Sequence, residues 1–250
     1  MTKAKFVLHW LNRSRAQRVV WLLEELNLDY ELKFYKRDEN LRAPKELTDL
    51  HPLGKSPILE IINDDGTSLK LAESGYIFQY LLEHYDKENK LTPTAPEDQE
   101  LVKYFLHYTE GSIQPMSTAL VVNEVSKSKP PLPIRPLMKA LLTKINHNYW
   151  DLEMKRNFDY LELILKEQHE KNRDYFVGDK LTAADLILSF PIYYEFYVTH
   201  FLRSYLGEET KVVYPHLYQW LSHVMKENGW KLAAKRVEEY ESIPASSSRL

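Results

Sequence analysis

Cysteine is absent from the 250-residue sequence. This absence excludes disulfide bonds, thiolate metal sites and a cysteine nucleophile supplied by the protein itself. The first five residues lack the apolar segment that is typical of a secretory signal. No run of about eighteen apolar residues is present that could cross a membrane as a helix. We therefore expect a cytoplasmic protein, with peripheral association with a membrane left open.

Long blocks of positive charge are also missing. The formal net charge is −3, and the lysine and arginine residues are scattered along the chain. Because proteins that bind nucleic acid usually have a basic face, this charge argues against nucleic acid as the main partner. His107 and Glu110 share one face of a predicted helix, but two ligands do not make a metal site, so we expect no metal.

The N-terminal third of the sequence alternates between strand and helix signals. An apolar run at 6–10 has the length of a buried strand, and residues 30–35 alternate with the period of two of a half-buried strand. Between them, residues 16–26 have the apolar spacing of a helix with one buried face. With a hairpin at 58–71 and a helix at 74–85, the order βαβ–ββα is that of a thioredoxin-like α/β domain.

After this region the strand signals stop, and the rest of the chain is predicted to be all-α. The predicted domains are a thioredoxin-like domain at 1–87, a linker at 88–97 and a helical bundle at 98–250. Inside the bundle the expected segments are a helix at 98–125, an exposed loop within 126–136, a long helix at 136–171, helices at 215–226 and 230–240, and a solvated tail at 242–250.

A capping box is expected to begin another helix of the bundle, because Thr182 can cap it while Asp185 reaches back from the third helical position. The apolar spacing of the two long helices predicts which side chains face the core. These expected core residues are Leu101, Phe105, Tyr108, Ile113, Leu141, Ile145, Trp150, Phe158, Leu161 and Leu165.

The most informative motif lies at 51–60 and continues at 71–76. Pro57 is expected at the first residue of a strand, where its missing N–H is tolerated. If the peptide bond before it is cis, the backbone of Ser56 faces outward and can pair with an extended peptide. Ser74 is predicted to cap the next helix, whose free N–H groups attract a carboxylate, and Glu73 adds an acceptor for an ammonium group. These features suit a small peptide with a free α-amino acid end.

The run His51-Pro52-Leu53-Gly54-Lys55-Ser56-Pro57, followed by Glu73-Ser74, resembles the glutathione transferases, most closely the fungal, yeast-type enzymes. In that family the loop has asparagine or histidine, Pro, x, Gly, x, x and cis-Pro, and Glu-Ser follows. The capping box at Thr182 is a further mark of the family's C-terminal domain. The resemblance implies the two-domain transferase fold, a homodimer, and glutathione as co-substrate bound by His51, Lys55, Ser56, Pro57, Glu73 and Ser74.

Two of these residues have alternative interpretations. Lys55 is a candidate for the glycyl carboxylate of glutathione, but it is equally a solvated lysine. His51 occupies a position that holds asparagine in many relatives, and it can fix the loop rather than touch the ligand.

Ser14 is the candidate catalytic residue. It follows the first strand and precedes the first helix, where a hydroxyl can stabilise a thiolate. The resemblance includes a serine, three residues and an arginine, matched here by Ser14 and Arg18, and implies that Ser14 activates the thiol. A plain helix cap is the alternative, and the guanidinium groups of Arg13 or Arg15 could hold the thiolate instead.

The second substrate is expected to be an apolar electrophile, because a thiolate attacks such centres, and its pocket is expected between the two domains. Aromatic residues at helical spacing can equally be core residues. The candidate walls of this pocket are Trp10, Leu11, Tyr104, His107, Tyr108 and Ser112.

The resulting prediction is a detoxifying glutathione transferase that conjugates glutathione to hydrophobic electrophiles and could also reduce organic hydroperoxides. Because the chain has no cysteine, thioltransferase activity through a mixed disulfide is expected to be negligible. The alternative is a regulatory or assembly module that binds glutathione on the same fold without catalysis.

Overall fold

The computed structural model describes residues 4–241. These residues divide into two units, one formed by residues 4–95 together with 225–241, and the other by residues 96–224. The sequence assigned all residues after 97 to the second domain, whereas in the structure the last helix packs with the first unit. The tail expected at 242–250 lies outside the described residues.

A four-stranded mixed sheet forms the centre of the first unit. Its strands are β1 (Lys5–Leu11), β2 (Tyr30–Tyr35), β3 (Ile58–Ile62) and β4 (Ser68–Ala72), in the order β2-β1-β3-β4. Strand β1 runs parallel to β2 and antiparallel to β3, and β3 and β4 form an antiparallel hairpin. This topology confirms the predicted thioredoxin-like βαβ–ββα order.

Helix α1 (Gln17–Glu25) is buried on more than one side. Its residues from Arg18 to Leu23 are all buried, although the sequence predicted a helix with a single buried face. The difference arises because the last helix, α12 (Asn228–Glu241), covers α1, with Trp230 edge-on to Trp21 at 5.1 Å between ring centroids. The other helices of this unit are α2 (Lys45–Leu50) and α3 (Ser74–Tyr85).

The second unit contains only helices within its described residues. Two long helical stretches, predicted at 98–125 and 136–171, are present but are each interrupted by a π-helical segment, at Thr109–Ile113 and at Asn146–Trp150. A third π-helical segment, Glu195–Thr199, follows α8. The α-helices are α4 (Pro96–Tyr108), α5 (Gln114–Ser128), α6 (Arg135–Ile145), α7 (Asp151–Glu170), α8 (Ala183–Tyr194), α9 (Phe201–Leu206), α10 (Thr210–Val213) and α11 (Pro215–Val224).

The expected core faces are correct for α7 and wrong for α6. Phe158, Leu161 and Leu165 on α7 are buried, as predicted. Leu141 and Ile145 on α6 are instead 50% and 42% exposed, and α6 has no buried residue. Apolar spacing identifies a face of a helix but not whether that face is covered, and in α6 it is left uncovered by the rest of the unit.

A smaller correction concerns α4. Leu101 was predicted in the core but is 43% exposed, whereas the neighbouring Val102 is buried with Phe105. The core face of α4 therefore lies about one residue further along the helix than the sequence suggested.

The capping box is present at the start of α8. Thr182 is the N-cap residue, and its backbone N–H donates to the Asp185 carboxylate at 2.9 Å. The same carboxylate also accepts hydrogen bonds from the Phe176 backbone N–H and from the Trp220 indole, both at 2.9 Å. Asp185 is fully buried, and its four donors replace the water that it loses.

Candidate active site

The loop at 51–57 is held in shape by backbone geometry. Gly54 has a φ of +56°, and a Cβ at this position would come within 2.9 Å of the Thr48 hydroxyl oxygen. Only glycine fits such a position without strain. The Gly54 N–H donates to the His51 carbonyl at 2.8 Å, and the Leu53 N–H faces His51 Nδ1 at 3.4 Å. These contacts support the interpretation of His51 as a residue that fixes the loop.

Ser56 connects this loop to the end of β1. The Ser56–Pro57 peptide bond is cis, as the motif anticipated. The Ser56 hydroxyl donates to the His9 carbonyl at 2.9 Å and accepts from the Leu11 N–H at 3.1 Å. Pro57 is buried, and Lys55 beside it is exposed. The side chain of Ser56 therefore has a structural role that the sequence did not suggest.

His9 is a second residue that sequence reasoning missed. Its ring is buried in the sheet, with Nδ1 2.9 Å from the Tyr35 hydroxyl and Nε2 3.6 Å from the Glu60 carboxylate. Burial, reinforced by the positive charge of Lys33, lowers the pKa of His9. Its link to the motif is a backbone carbonyl, which every residue has, so no sequence pattern could have indicated it.

Glu73 and Ser74 lie at the start of α3, and the prediction that Ser74 caps this helix is wrong. Glu73, not Ser74, is the N-cap residue, and it has an unusual φ of +70°. Ser74 is the first residue of the helix and is only 1% exposed. Its hydroxyl oxygen is buried and has no hydrogen-bond partner within the described part of the chain. Buried hydroxyl groups usually have a hydrogen-bond partner, so this one is an exception, and it lies at the first turn of a helix.

Ser14 lies in the turn between β1 and α1 and is 7% exposed. Helix α1 begins at Gln17 with Ala16 as its N-cap residue, but Ala16 already has helical dihedral angles and the Ser14 carbonyl accepts from the Gln17 N–H at 3.4 Å, so the helix-cap interpretation of Ser14 stays open. Its hydroxyl oxygen accepts a hydrogen bond from the Ala16 N–H at 3.3 Å. An oxygen that accepts in this way keeps its own O–H, which remains able to donate.

The arginines around Ser14 differ in their environment. Arg13 is exposed and has a φ of +53°, whereas Arg18 is buried, with its Nε 3.4 Å from the Arg15 carbonyl. Arg18 is therefore part of the packing of α1. On these contacts, either the Ser14 hydroxyl or the guanidinium group of Arg13 or Arg15 could stabilise the thiolate.

The candidate residues for the second substrate fall into two groups. In the first unit Trp10 and Leu11 are each 2% exposed: Trp10 stacks on Phe34 with ring centroids 4.9 Å apart, and Leu11 packs with the buried Leu47 and Ile58. These contacts place both side chains in the core of that unit.

The remaining four residues lie on α4 and on the π-helical segment after it. Tyr104 is 43% exposed and stacks on Tyr108 at 5.7 Å. The Tyr108 hydroxyl donates to Asn157 at 2.6 Å, and burial raises the pKa of Tyr108. His107 is exposed and Ser112 is half-buried. Tyr104 and Tyr108 thus form an aromatic pair that is partly open to solvent.

No group of three or more histidine, cysteine, aspartate and glutamate side chains among residues 4–241 could hold a metal ion. None of the helices in the same range is both long enough and apolar enough to cross a membrane.

A thioredoxin-like unit with a cis-proline loop and a Glu-Ser helix start, joined to an all-helical unit, is the architecture of glutathione-dependent transferases and their relatives. Residues 6–83 match the family described as glutathione S-transferase, N-terminal domain, and residues 120–228 match its C-terminal domain. The chain is 38% identical to glutathione S-transferase 1 of Saccharomyces cerevisiae, over 91% of this chain and 93% of that protein. The chain belongs to the glutathione S-transferase family.

Solved structures agree with this assignment. A glutathione S-transferase from Actinobacillus pleuropneumoniae is 30% identical, with a TM-score of 0.67 over 97% of this chain and 99% of that one. A glutathione transferase homologue from Lodderomyces elongisporus, determined with two glutathione molecules per subunit, is 23% identical, with a TM-score of 0.71 over 93% and 98%. The second likeness concerns the fold alone.

Proposed function

We propose that this protein is a glutathione transferase that ionises the thiol of glutathione and transfers the tripeptide to hydrophobic electrophiles. The observation that carries the proposal is the buried, unpartnered hydroxyl of Ser74 at the first residue of α3. Family membership makes glutathione the natural ligand, and the Lodderomyces elongisporus relative binds it.

The γ-glutamyl end of glutathione fits the start of α3. Its carboxylate would accept hydrogen bonds from the free N–H groups of the first turn and from the Ser74 hydroxyl. The exposed carboxylate of Glu73 would receive the ammonium group. A ligand at this position satisfies a buried polar atom that otherwise has no partner.

The rest of the tripeptide would follow the loop at 51–57. The backbone of Ser56 would pair with the backbone of the cysteinyl residue, as an added strand does. Pro57 shapes this position, and the Ser56 hydroxyl is already occupied by β1, so only its backbone is available for pairing. Lys55 is exposed and would meet the glycyl carboxylate, while His51 would hold the loop.

Ser14 would activate the thiol. Free glutathione has a thiol pKa of about 8.5, so only a few per cent is thiolate at neutral pH. Lowering that pKa by roughly two units requires about 2.7 kcal/mol of preferential stabilisation of the anion. The Ser14 O–H, which is not used in the bond from Ala16, would supply it as a donor to sulfur.

The reaction then proceeds without a protein nucleophile. The thiolate attacks an electrophilic carbon of the second substrate, a carbon–sulfur bond forms, and the leaving group departs with its electron pair. With an organic hydroperoxide, two glutathione molecules would reduce the peroxide to an alcohol and water and form glutathione disulfide.

The Ser14→Ala variant tests this function directly. We expect kcat/KM for conjugation of a chlorinated aromatic at pH 7 to fall by about 25-fold, because the thiol pKa returns from about 6.5 to about 8.5 and the thiolate fraction falls accordingly. Ser14→Thr keeps the hydroxyl and should retain most of the activity. If Ser14→Ala matches the parent, the activator is another group, such as Arg13 or Arg15. If the parent itself has no conjugating or peroxidase activity while it binds glutathione, the non-catalytic module replaces the enzyme.

A further inference from the structure

Asn12, the first residue after β1, is hydrogen-bonded to the end of β2 and to Arg37 just beyond it. The Asn12 N–H donates to the Tyr35 carbonyl at 3.0 Å, and the Asn12 side-chain oxygen accepts from the Arg37 N–H at 2.8 Å. The Asn12 backbone carbonyl accepts from the Arg37 Nε at 3.2 Å. We call these two residues the Asn12–Arg37 clamp. The clamp continues the parallel pairing of β1 and β2 beyond Leu11 and Tyr35, the last pair of the two strands.

The loop after β2 fixes Arg37 in turn. The Arg37 Nη1 donates to the Leu41 carbonyl at 3.1 Å, so the guanidinium group spans the backbone carbonyls of Asn12 and Leu41. Asp38 closes this loop, because its carboxylate accepts from the Arg42 N–H at 2.8 Å and its own N–H donates to the Arg42 carbonyl at 2.9 Å. A planar guanidinium group that is held at two of its nitrogen atoms makes a directional attachment.

The turn that the clamp holds is the one that carries Ser14. Arg13, between Asn12 and Ser14, has a φ of +53°, which is uncommon for a residue with a side chain. Such a conformation persists where the surrounding structure fixes it. On the side of α1, the Ser14 carbonyl accepts from the Gln17 N–H at 3.4 Å and the Ser14 hydroxyl accepts from the Ala16 N–H at 3.3 Å. On the side of β1, the attachment is the clamp.

We propose that Asn12 and Arg37 are positioning residues for thiol activation, because they fix the turn from which the Ser14 hydroxyl donates to the sulfur of glutathione. The inference rests on the proposed function, in which Ser14 stabilises the thiolate. A hydrogen bond weakens steeply as its geometry departs from linear, so a turn that is free to move stabilises the thiolate less. Neither Asn12 nor Arg37 is among the proposed contacts of glutathione. The clamp therefore acts on the pKa of the bound thiol and not on the other binding contacts.

The positive charge of Arg37 is a separate way to favour a thiolate, and two variants distinguish charge from position. Asn12→Ala leaves the charge of Arg37 in place but removes the side-chain oxygen that accepts from the Arg37 N–H. Arg37→Lys keeps the charge but lacks the planar group that donates to two carbonyls. Positioning predicts a higher pKa of the bound thiol in both variants. An effect of charge alone predicts an unchanged thiol pKa in both.

Titration of bound glutathione, followed by the ultraviolet absorbance of the thiolate, tests the proposal. We expect the pKa of the bound thiol to rise by about one unit in Asn12→Ala, Arg37→Gln and Arg37→Lys, so that the thiolate fraction at pH 7 falls about threefold. Arg42→Gln is the matched control, because it removes a positive charge from the same loop and keeps the backbone bonds of Arg42 to Asp38. The control should titrate like the parent. Unchanged thermal unfolding would verify that each variant is folded.

The affinity for glutathione at pH 5 separates positioning from a general loosening of the site. With a thiol pKa of about 6.5 when bound and about 8.5 when free, the thiol is protonated in both states at this pH. The affinity then reports the other contacts of the tripeptide and not the thiol pKa. We expect the Asn12 and Arg37 variants to bind within about twofold of the parent. A loss of tenfold or so at pH 5 would mean that the clamp maintains the whole site, and it would overturn the proposal.

The double variant Ser14→Ala/Arg37→Gln shows whether the clamp acts through Ser14. If it does, the bound thiol of the double variant should titrate like that of Ser14→Ala alone, because residues that act as a unit are not additive. The proposal is wrong if the clamp variants titrate like the parent, or if Arg37→Gln raises the thiol pKa equally with and without the Ser14 hydroxyl. A parent whose bound thiol titrates like free glutathione would instead overturn the proposed function, and this inference with it.

Discussion

At the scale of single residues, the proposed glutathione site depends most on the Ser74 hydroxyl. The fold buries it at a helix start and provides no partner among the described residues. Such a group costs folding free energy until something binds it. The neighbouring Glu73 adopts a φ of +70°, which places it as the cap of α3.

The Ser74→Ala variant should therefore separate binding from stability. We expect glutathione to bind about 10- to 100-fold more weakly, because a hydrogen bond to a charged group contributes about 1.5–3 kcal/mol. The free energy of unfolding without glutathione should be unchanged or higher, since no existing hydrogen bond is lost. Isothermal titration and urea unfolding measure the two quantities. Unchanged affinity would show that the carboxylate binds elsewhere.

Glu195 is a buried carboxyl outside the candidate site. It accepts hydrogen bonds from the Leu202 N–H at 2.7 Å and from the Phe201 N–H at 3.2 Å. Burial nonetheless dominates and raises its pKa from 4.5 to about 7. The folded protein thus holds a proton on Glu195 that the unfolded chain releases, and its contribution to stability is lost as pH rises through this window.

The pH dependence of the stability of a Glu195→Gln variant tests whether the pKa of Glu195 is raised in the folded protein. Glutamine does not titrate, so the variant lacks the loss of stability that the parent undergoes as pH rises. The free energy of unfolding of the variant minus that of the parent should therefore increase by about 3 kcal/mol between a pH below 4.5 and a pH above 7. Urea unfolding at several pH values measures the difference. A difference that is constant with pH would mean that Glu195 has an ordinary pKa in the folded protein.

At the scale of elements, local signals predicted most of what the structure contains. The strands of the sheet follow the alternating and apolar runs. The position of Pro57 ahead of β3 left a cis bond conditional, and the family resemblance implied it, as the structure has it. The capping box at Thr182 was predicted because its residues are three apart and interact locally. In each case the interaction is set by neighbours in the sequence.

Elements whose state depends on distant partners were predicted less well. The apolar spacing predicted one buried face for α1, but α12 packs on this helix and covers a second face. It placed Leu141 and Ile145 in the core, but nothing in the unit covers them. The π-helical segments were not foreseen either, because such segments are rare and no residue type signals them.

In the candidate site, too, features set by neighbouring residues were predicted and features set by distant residues were missed. The motif residues at 51–57 and 73–74 were found because they are contiguous. The roles of His9 and of the Ser56 hydroxyl were missed because they depend on a backbone carbonyl and N–H of β1, which no residue type signals.

At the scale of the whole molecule, the chain closes its first unit with its last helix. Helix α12 packs on α1, where Arg236 forms an ion pair with Glu24 and lies over the Tyr30 ring at 4.9 Å. The contact continues at Gly229, where an added Cβ would lie 2.1 Å from the Glu25 carboxylate. That carboxylate is itself held by the Trp21 indole at 3.0 Å.

Gly229→Ala should therefore weaken the docking of α12. We expect the free energy of unfolding to fall by about 1–3 kcal/mol, because the Glu25 carboxylate must leave its partners to make room. Gly111→Ala is the matched control, since a Cβ there meets no heavy atom within 4 Å, and it should be neutral or stabilise by up to about 1 kcal/mol. Equal effects of the two changes would argue against a tight contact between α12 and α1.

The central claim is that the protein lowers the pKa of a thiol that it does not itself contain. Titration of glutathione bound to the parent, followed by the ultraviolet absorbance of the thiolate, measures this most directly. The account predicts a pKa well below the free value of about 8.5, and a return toward that value in Ser14→Ala. A bound thiol that titrates like free glutathione would contradict it.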